Sequence, residues 1–301
     1  MQPQPGPAPT AELPTISVVT PSFNQARYLE RTLRSILDQG YPRLELVVVD
    51  GGSTDGSVEI IRAFESRLAW WVSEPDRGQY DAINKGFAHT SGEIMAWLNS
   101  DDLYTPWALH VVGELFARFP GVDWLTSLFQ LVWDDRDRAV ACMRASGFNR
   151  RAFMRGENLV TRPRGRGRWI QQESTFWRRS LWQRAGGRLD TTLTLAADFE
   201  LWARYFAHAD LVGVETPLAG FRAHGDQRSV TQREAYAREA EAALVRHGGR
   251  LGGRLDGAWR TALVPRLPTR LRRTLERMHL AAPRPVCRWE GPETGWTLRW
   301  A

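Results

Sequence analysis

Apolar positions in the first 135 residues switch repeatedly between two spacings. Ile16-Ser17-Val18-Val19-Thr20 is a short β-branched run stopped by Pro21 and reads as a buried strand. Tyr28, Leu29, Leu33, Ile36 and Leu37 then recur at helical spacing, with Asn24 as a candidate cap and Gly40 as the stop. Leu44 to Asp50 forms a second apolar run. Gly51-Gly52-Ser53-Thr54-Asp55-Gly56 follows, too rich in turn residues for regular structure, and then a helix over about 57–64. The alternation continues with a strand over 69–73, a helix over about 80–89, and a strand over 93–98 that ends in Asn99-Ser100-Asp101-Asp102. A helix over about 106–119 and a strand around 123–133 extend it. Such β-α alternation predicts an α/β domain with a mostly parallel sheet flanked by helices.

The pattern weakens beyond about residue 144. Arg162-Pro163-Arg164-Gly165-Arg166-Gly167-Arg168 is a basic loop, 180–185 and 196–206 suggest short helices, and a strand precedes Phe221-Arg222-Ala223-His224. From 231 onward, helical stretches are interrupted by Gly-Gly pairs and prolines. This divides the chain into a disordered proline-rich tail (1–14), an α/β domain (15–230) and a basic helical C-terminal extension (231–301).

Charge sharpens that division. The 301 residues, 43% hydrophobic and 25% charged, exclude disorder of the whole chain. The net +6 hides −8 over 1–143, +10 over 144–188, −3 over 189–230 and +7 over 231–301. Acidic clusters can hold a metal, and basic ones attract phosphates or anionic surfaces. Lys85 is the one lysine among 39 arginines. Cys142 and Cys287 have no metal-ligand or redox spacing, so a reducing cytosol is the default setting. The N-terminal stretch lacks the features of a signal peptide, and no apolar run approaches the ~20 residues of a membrane span. The chain reads as cytoplasmic, either soluble or peripheral to the inner face of a membrane. Its 14 tryptophans lie scattered in apolar segments, which fits core packing and gives no nucleic-acid pattern.

Ligands of open parallel sheets bind at the carboxyl ends of strands. Asp50 and the Asp101-Asp102 pair occupy such ends, and Asp81 begins the helix one loop earlier. Asp50 suits either a ribose or base contact or an Asx turn. Adjacent carboxylates at 101 and 102 repel unless a cation screens them, and oxygen ligation favours magnesium or manganese; a helix cap is the alternative.

Four segments in order resemble the family 2 glycosyltransferases of the GT-A fold: Val18 to Asn24, Val48-Val49-Asp50-Gly51-Gly52-Ser53-Thr54-Asp55-Gly56-Ser57, Tyr80-Asp81-Ala82-Ile83-Asn84-Lys85-Gly86, and Leu98 to Asp102. The resemblance covers roughly 14–230. It implies a Rossmann-like GT-A sheet and inverting transfer of a sugar from a nucleoside diphosphate donor, with UDP- or dTDP-sugars favoured. The acceptor would be a glycan or lipid-linked molecule of a cell-envelope polysaccharide pathway. It also implies that Thr20, Pro21, Asn24 and Asp50 surround the nucleotide, with Asp81, Asn84 and Lys85 as a further nucleotide-facing element. Asp101 and Asp102 match the DXD-type metal motif, Asp102 as direct ligand of Mn2+ or Mg2+ and Asp101 nearer the ribose or donor sugar.

Ala196-Ala197-Asp198-Phe199-Glu200-Leu201-Trp202 resembles the segment of the carboxylate base, which makes Asp198 the catalytic candidate; on the residues alone it is equally a helix cap. Gln172 and Glu173 would face the sugar or acceptor, unless Glu173 merely pairs with Arg178 or Arg179. His224 would complete the metal shell. The basic extension would be either a solvated face or a contact for anionic membrane and lipid-linked acceptors. A nucleotidyltransferase would need a glycine-rich loop after the first strand, and Thr20 to Arg27 has no glycine. A non-catalytic relative is disfavoured by the intact acids at both metal and base positions, and no G-x-G-x-x-G supports an oxidoreductase.

Overall fold

β1 (Ile16–Ser22) is buried along its whole length and lies between β2 (Leu44–Asp50) and β4 (Ile94–Trp97), parallel to both. A β-branched run with no polar face can occupy only such a two-sided position. β3 (Trp70–Ser73) adds beyond β2 in parallel. Because β1, β2 and β3 step outward in one direction and β4 lies on the other side, the strand order reverses beside β1. Such a switch point opens a crevice at the carboxyl ends of the strands.

This computed structural model describes residues 12–159, 169–225, 231–251, 266–268, 270–271 and 284–300. Among them a nine-stranded sheet continues past β4 through β9 (Thr175–Arg178), β6 (Trp124–Ser127), β10 (Leu211–Val214), β12 (Pro285–Trp289) and β13 (Trp296–Trp300). β9 runs antiparallel to both its neighbours. A second sheet of four strands, in the order β5 (Leu103–Tyr104), β11 (Ala219–Arg222), β7 (Phe129–Trp133) and β8 (Ala139–Arg144), covers the far side of the crevice.

The pleat divides the core. Ile16, Val18, Leu46 and Val48 face α1 (Ala26–Leu37), α2 (Ser57–Phe64) and α4 (Ala108–Arg118). Val19, Val47 and Val49 face α3 (Gln79–Ala88), and the same cluster takes in α6 (Arg179–Arg184), α7 (Ala197–Tyr205) and α8 (Arg233–Arg246). A short α5 (Arg150–Phe153) puts Phe153 into that second cluster.

Several expectations change. Asn24 caps no helix: it adopts φ +51° and accepts a bond from the Thr54 N–H at 2.9 Å, while Asp55 receives the first helical N–H, of Ala26, at 2.9 Å. The strand expected over 123–133 is two strands in different sheets. Ser127 accepts the Phe129 N–H, and Leu128 bonds to Val214 and Ala145, so the chain bends where one continuous run was expected. The helical expectation for the extension holds in α8, but residues 285–300 form an antiparallel hairpin whose first strand pairs in parallel with β10. Cys287 and Trp296 enter the core there, and Gly291 and Gly295 take the positive φ that its turn requires. The extension therefore contributes to the main sheet. The basic loop at 162–168, most of the tail and much of the basic sequence over 252–283 lie outside the described residues. Among the described residues no helix is long and apolar enough to cross a membrane.

α3 approaches the sheet through Gly86, where a Cβ would meet Val19 Cγ1 at 2.5 Å and Val49 Cγ2 at 3.2 Å. Gly86→Ala is expected to lower unfolding free energy by about 1–3 kcal/mol, read as an earlier midpoint in urea at unchanged slope.

Candidate active site

A cleft of about 1260 Å³ opens at the carboxyl ends of β1, β2 and β4, between the two sheets. Pro21, Phe23, Gly51 and Asp76 line one end, Asp101, Asp102 and His224 the middle, and Glu173, Asp198 and Tyr236 the other end.

The middle rests on a buried arginine. Arg222, at the end of β11, is 0% exposed. Its Nε donates to the Asp101 carbonyl at 2.6 Å, its guanidinium pairs with Asp137 and lies 4.8 Å above the Tyr28 ring, and its backbone N–H donates to Asp102 Oδ1 at 2.9 Å. Thr32 Oγ1 lies 2.9 and 2.8 Å from the carbonyls of Ser100 and Asp102, so α1 holds the same loop from below. Asp102 is buried, and its second oxygen accepts from Asn99 Nδ2 at 3.3 Å. Burial, with the nearby charges of Asp101 and Glu173, pushes its carboxyl well above the ordinary carboxylate range. Asp101 is the more open of the pair, and its Oδ2 lies 3.0 Å from His224 Nε2. His224, two residues beyond Arg222, packs on Tyr28 with ring centroids 4.8 Å apart. Neither Asp101 nor Asp102 caps α4, which starts at Ala108 without a side-chain cap.

The far end is also acidic. Asp198 lies in the first turn of α7, beyond the cap residue Ala196, and accepts from the Tyr236 hydroxyl at 3.3 Å on both oxygens. Burial raises its pKa to about 6. Glu173 sits in a 3-10 turn over 172–174 that leads into β9, and it is buried. Burial raises its pKa to about 7, with the charges of Asp101 and Asp198 adding to the effect. Its Oε1 has no hydrogen-bond partner among the described residues. The alternative pairing with Arg178 or Arg179 does not occur, because Arg178 binds Glu93 and Arg179 binds Gly92 and Thr90. Gln172 anchors the turn by donating to the Trp97 carbonyl at 2.7 Å.

Other expected residues lie elsewhere. Thr20 is enclosed within β1. Asp50 is fully buried and spends both oxygens on its own loop, accepting from the N–H groups of Gly52 and Ser53 and the hydroxyls of Ser53 and Ser73 at 2.5–3.1 Å. The turn reading is the one the geometry supports for it. Asn84 exchanges two hydrogen bonds with the Leu189 backbone, at 3.0 and 2.8 Å. Asp81 pairs with Arg77 at 2.9 Å and Lys85 with Glu74 at 2.6 Å, neither on the cleft wall. Asp76 lines the cleft where Asp50 does not. It follows β3 in Glu74-Pro75-Asp76-Arg77-Gly78, a turn at a strand's carboxyl end, and that position was signal enough to find it.

The sequence matches the glycosyl transferase family 2 model over residues 17–123. An uncharacterized glycosyltransferase of Mycobacterium tuberculosis is 33% identical over 216 residues, which cover 70% of this chain and 76% of that protein. The chain belongs to glycosyltransferase family 2. Among solved structures, the transferase is similar to Staphylococcus aureus TarS 1–349 in complex with UDP-GlcNAc, with a TM-score of 0.60 at 17% identity over 77% of this chain and 66% of that one. It is also similar to glucosyl-3-phosphoglycerate synthase from M. tuberculosis in complex with Mn2+, UDP and phosphoglyceric acid, with a TM-score of 0.54 at 22% identity over 80% of each chain. These likenesses establish the GT-A fold, and the family makes the protein a glycosyltransferase.

Removing Arg222 would leave Asp137 to Arg31 and take a donor from the loop carrying the transferase's acidic pair. Arg222→Met is expected to cost about 1–3 kcal/mol in chemical denaturation, as loss of a buried hydrogen-bond partner does.

Proposed function

We propose that the protein is an inverting glycosyltransferase that moves a sugar from a uridine or thymidine diphosphate donor to a hydroxyl of a glycan or lipid-linked acceptor, with Asp198 as general base. The observation that carries this reading is one cleft with a carboxylate of pKa about 6 at one end and the 3.0 Å Asp101–His224 pair in the middle. A base must be ionised at working pH yet retain appetite for a proton, and a pKa near 6 meets both demands. Asp198 takes the acceptor proton as the hydroxyl oxygen bonds to the anomeric carbon and the bond from that carbon to the diphosphate oxygen breaks. A single attack from the face opposite the leaving group inverts the centre.

The donor set fits a divalent cation. A carboxylate oxygen and an imidazole nitrogen converge, both suited to Mn2+ or Mg2+, beside further acids whose mutual repulsion is unrelieved. Among the described residues no group of three His, Cys, Asp or Glu side chains forms a complete cage. Asp101 and His224 would hold the cation, which reverses the expected division of labour: Asp102 is committed to Arg222 and Asn99. When bound, the ion would supply charge stabilisation for the departing diphosphate.

At the other end, the Asp76 carboxylate accepts the Gly78 N–H at 2.7 Å and can read a base that offers an N–H, as uracil and thymine do through N3. Phe23, 60% exposed at the rim, offers that base a ring face. Glu173, near neutrality at its pKa of about 7, is placed to bond a sugar hydroxyl. The +7 charge of residues 231–301 suits approach to an anionic surface bearing a lipid-linked acceptor.

A thermal-shift screen of nucleoside diphosphates with manganese should show stabilisation by UDP or dTDP, and donor turnover should follow; a protein that no nucleotide stabilises would overturn the reading. His224→Ala should raise the manganese concentration needed for half-maximal stabilisation by UDP.

Asp198→Asn should lower kcat by about 10²–10⁴ at unchanged UDP affinity. Wild-type kcat/KM should fall about tenfold per pH unit below about pH 6. The sign for stability is opposite. A carboxyl whose pKa is raised by folding destabilises the native state as pH climbs through that range, so Asp198→Asn should melt higher than wild type above about pH 7 and gain little near pH 4.

A further inference from the structure

α8 lies outside the segment that carries the sequence motifs, yet one stripe along it touches the chain around Asp198 at four points. Tyr236, Glu239, Arg246 and His247 fall on one helical face, with the buried Ala240 and Ala243 between them. Tyr236 donates to the Asp198 carboxylate. Glu239 accepts from the N–H groups of Thr194, Leu195 and Ala196 at 2.8–3.2 Å and from the Thr194 hydroxyl at 2.7 Å. Arg246 pairs with Asp190 at 2.8 Å, and His247 with Glu200 at 2.8 Å. The N-terminus of α7 has no cap of its own, so the carboxylate that satisfies the approach to it is supplied by another helix.

We propose that α8 is a positioning element for the base: Tyr236 fixes the orientation of the Asp198 carboxylate, and Glu239 fixes the loop from which α7 starts. This rests on Asp198 being the base. A carboxylate at the start of a short helix can rotate and can recede with its loop. One three-centre bond, from a single hydroxyl to both carboxylate oxygens, restrains the first freedom, and four donors gathered on Glu239 remove the second. Proton transfer needs the acceptor oxygen within hydrogen-bond reach, so either loss costs rate at the chemical step while leaving the nucleotide end of the cleft intact.

The groups that reach Asp198 by charge or hydrogen bond are Tyr236 and Glu239 from α8 and Glu173 from the 172–174 turn, and Arg233 and Tyr80 line the same cleft. Of these, Tyr236 favours the ionised form through its hydrogen bond, and Glu239 opposes it through its charge.

The test uses the full chain with manganese and a panel of UDP-glucose, UDP-galactose and UDP-N-acetylglucosamine, following UDP release. Tyr236→Phe is expected to lower kcat about tenfold. UDP affinity should stay unchanged, and the acid limb of the pH profile should move to higher pH. Glu239→Gln should lower kcat in the same direction, again without loss of UDP affinity. A helix that is merely structural would lower the melting temperature and loosen UDP while leaving the acid limb in place, and that result overturns the proposal. Wild-type kcat and pH profile in Tyr236→Phe, beside an inactive Asp198→Asn, overturn the positioning role alone. Retained turnover in Asp198→Asn removes the base assignment and the proposal with it. A double-mutant cycle on thermal stability gives a readout free of activity: Tyr236→Phe should destabilise wild type more than it destabilises Asp198→Ala.

Discussion

A guanidinium with no exposed surface has to be repaid group by group, and the way Arg222 is repaid organises the cleft. Its charge meets Asp137 from the β7–β8 hairpin, the face of Tyr28 from α1 and the carbonyl of Asp101 from the loop after β4. Three stretches of chain are thereby held against the end of β11, and the backbone N–H of the same residue immobilises Asp102. His224, two residues further on, is delivered to Asp101 by this arrangement. Burying a charge is expensive unless partners of good geometry surround it, so the loop after β4 and α1 cannot leave the end of β11 without taking a carbonyl and a ring face from that charge.

The first half of the fold was legible because parallel strands covered on both faces read as continuous apolar runs. β1, β2, β4 and the helices between them follow from spacing alone. β9 did not stand out, since it is made a strand by neighbours far along the chain, and of β10 and β11 one strand alone, ahead of Phe221, was expected. The site was legible to the same depth. Asp101, Asp102, Glu173, Asp198 and His224 do converge on one cleft; the strand-end rule pointed to the first two, and the family resemblance to the other three. Asp50, Asn24 and Asn84 were misjudged for a shared reason: a small polar side chain near backbone donors and acceptors satisfies those first. Tyr236 had no local signal, because its relation to Asp198 is made by packing between two helices 38 residues apart.

Burial is the first cause of the raised carboxyls on the cleft, and the shifts of Asp102, Glu173 and Asp198 are one phenomenon. Each is buried, and for Asp102 and Glu173 the charge of a neighbouring acid adds to the penalty. A protein that spends folding energy to keep such a group ionisable has a use for the strain, which here is a cleft receptive to positive charge in the middle and to a proton at one end. Among the described residues lining the cleft, Arg233 is the one arginine or lysine, against Asp76, Asp101, Asp102, Glu173 and Asp198.

Beneath the cleft floor, Trp97, Trp124, Trp177 and Trp202 form a dry cluster with ring centroids 5.4–6.1 Å apart along successive pairs, and Trp97 and Trp202 also reach the cleft wall. Indoles this close exchange excitation energy faster than they emit and couple as oscillators in the near ultraviolet. The optical spectrum of the protein is therefore weighted toward one shared chromophore lying against the site, out of the 14 tryptophans in the chain. A change in the cleft's occupancy is written into emission and circular dichroism without any label being attached.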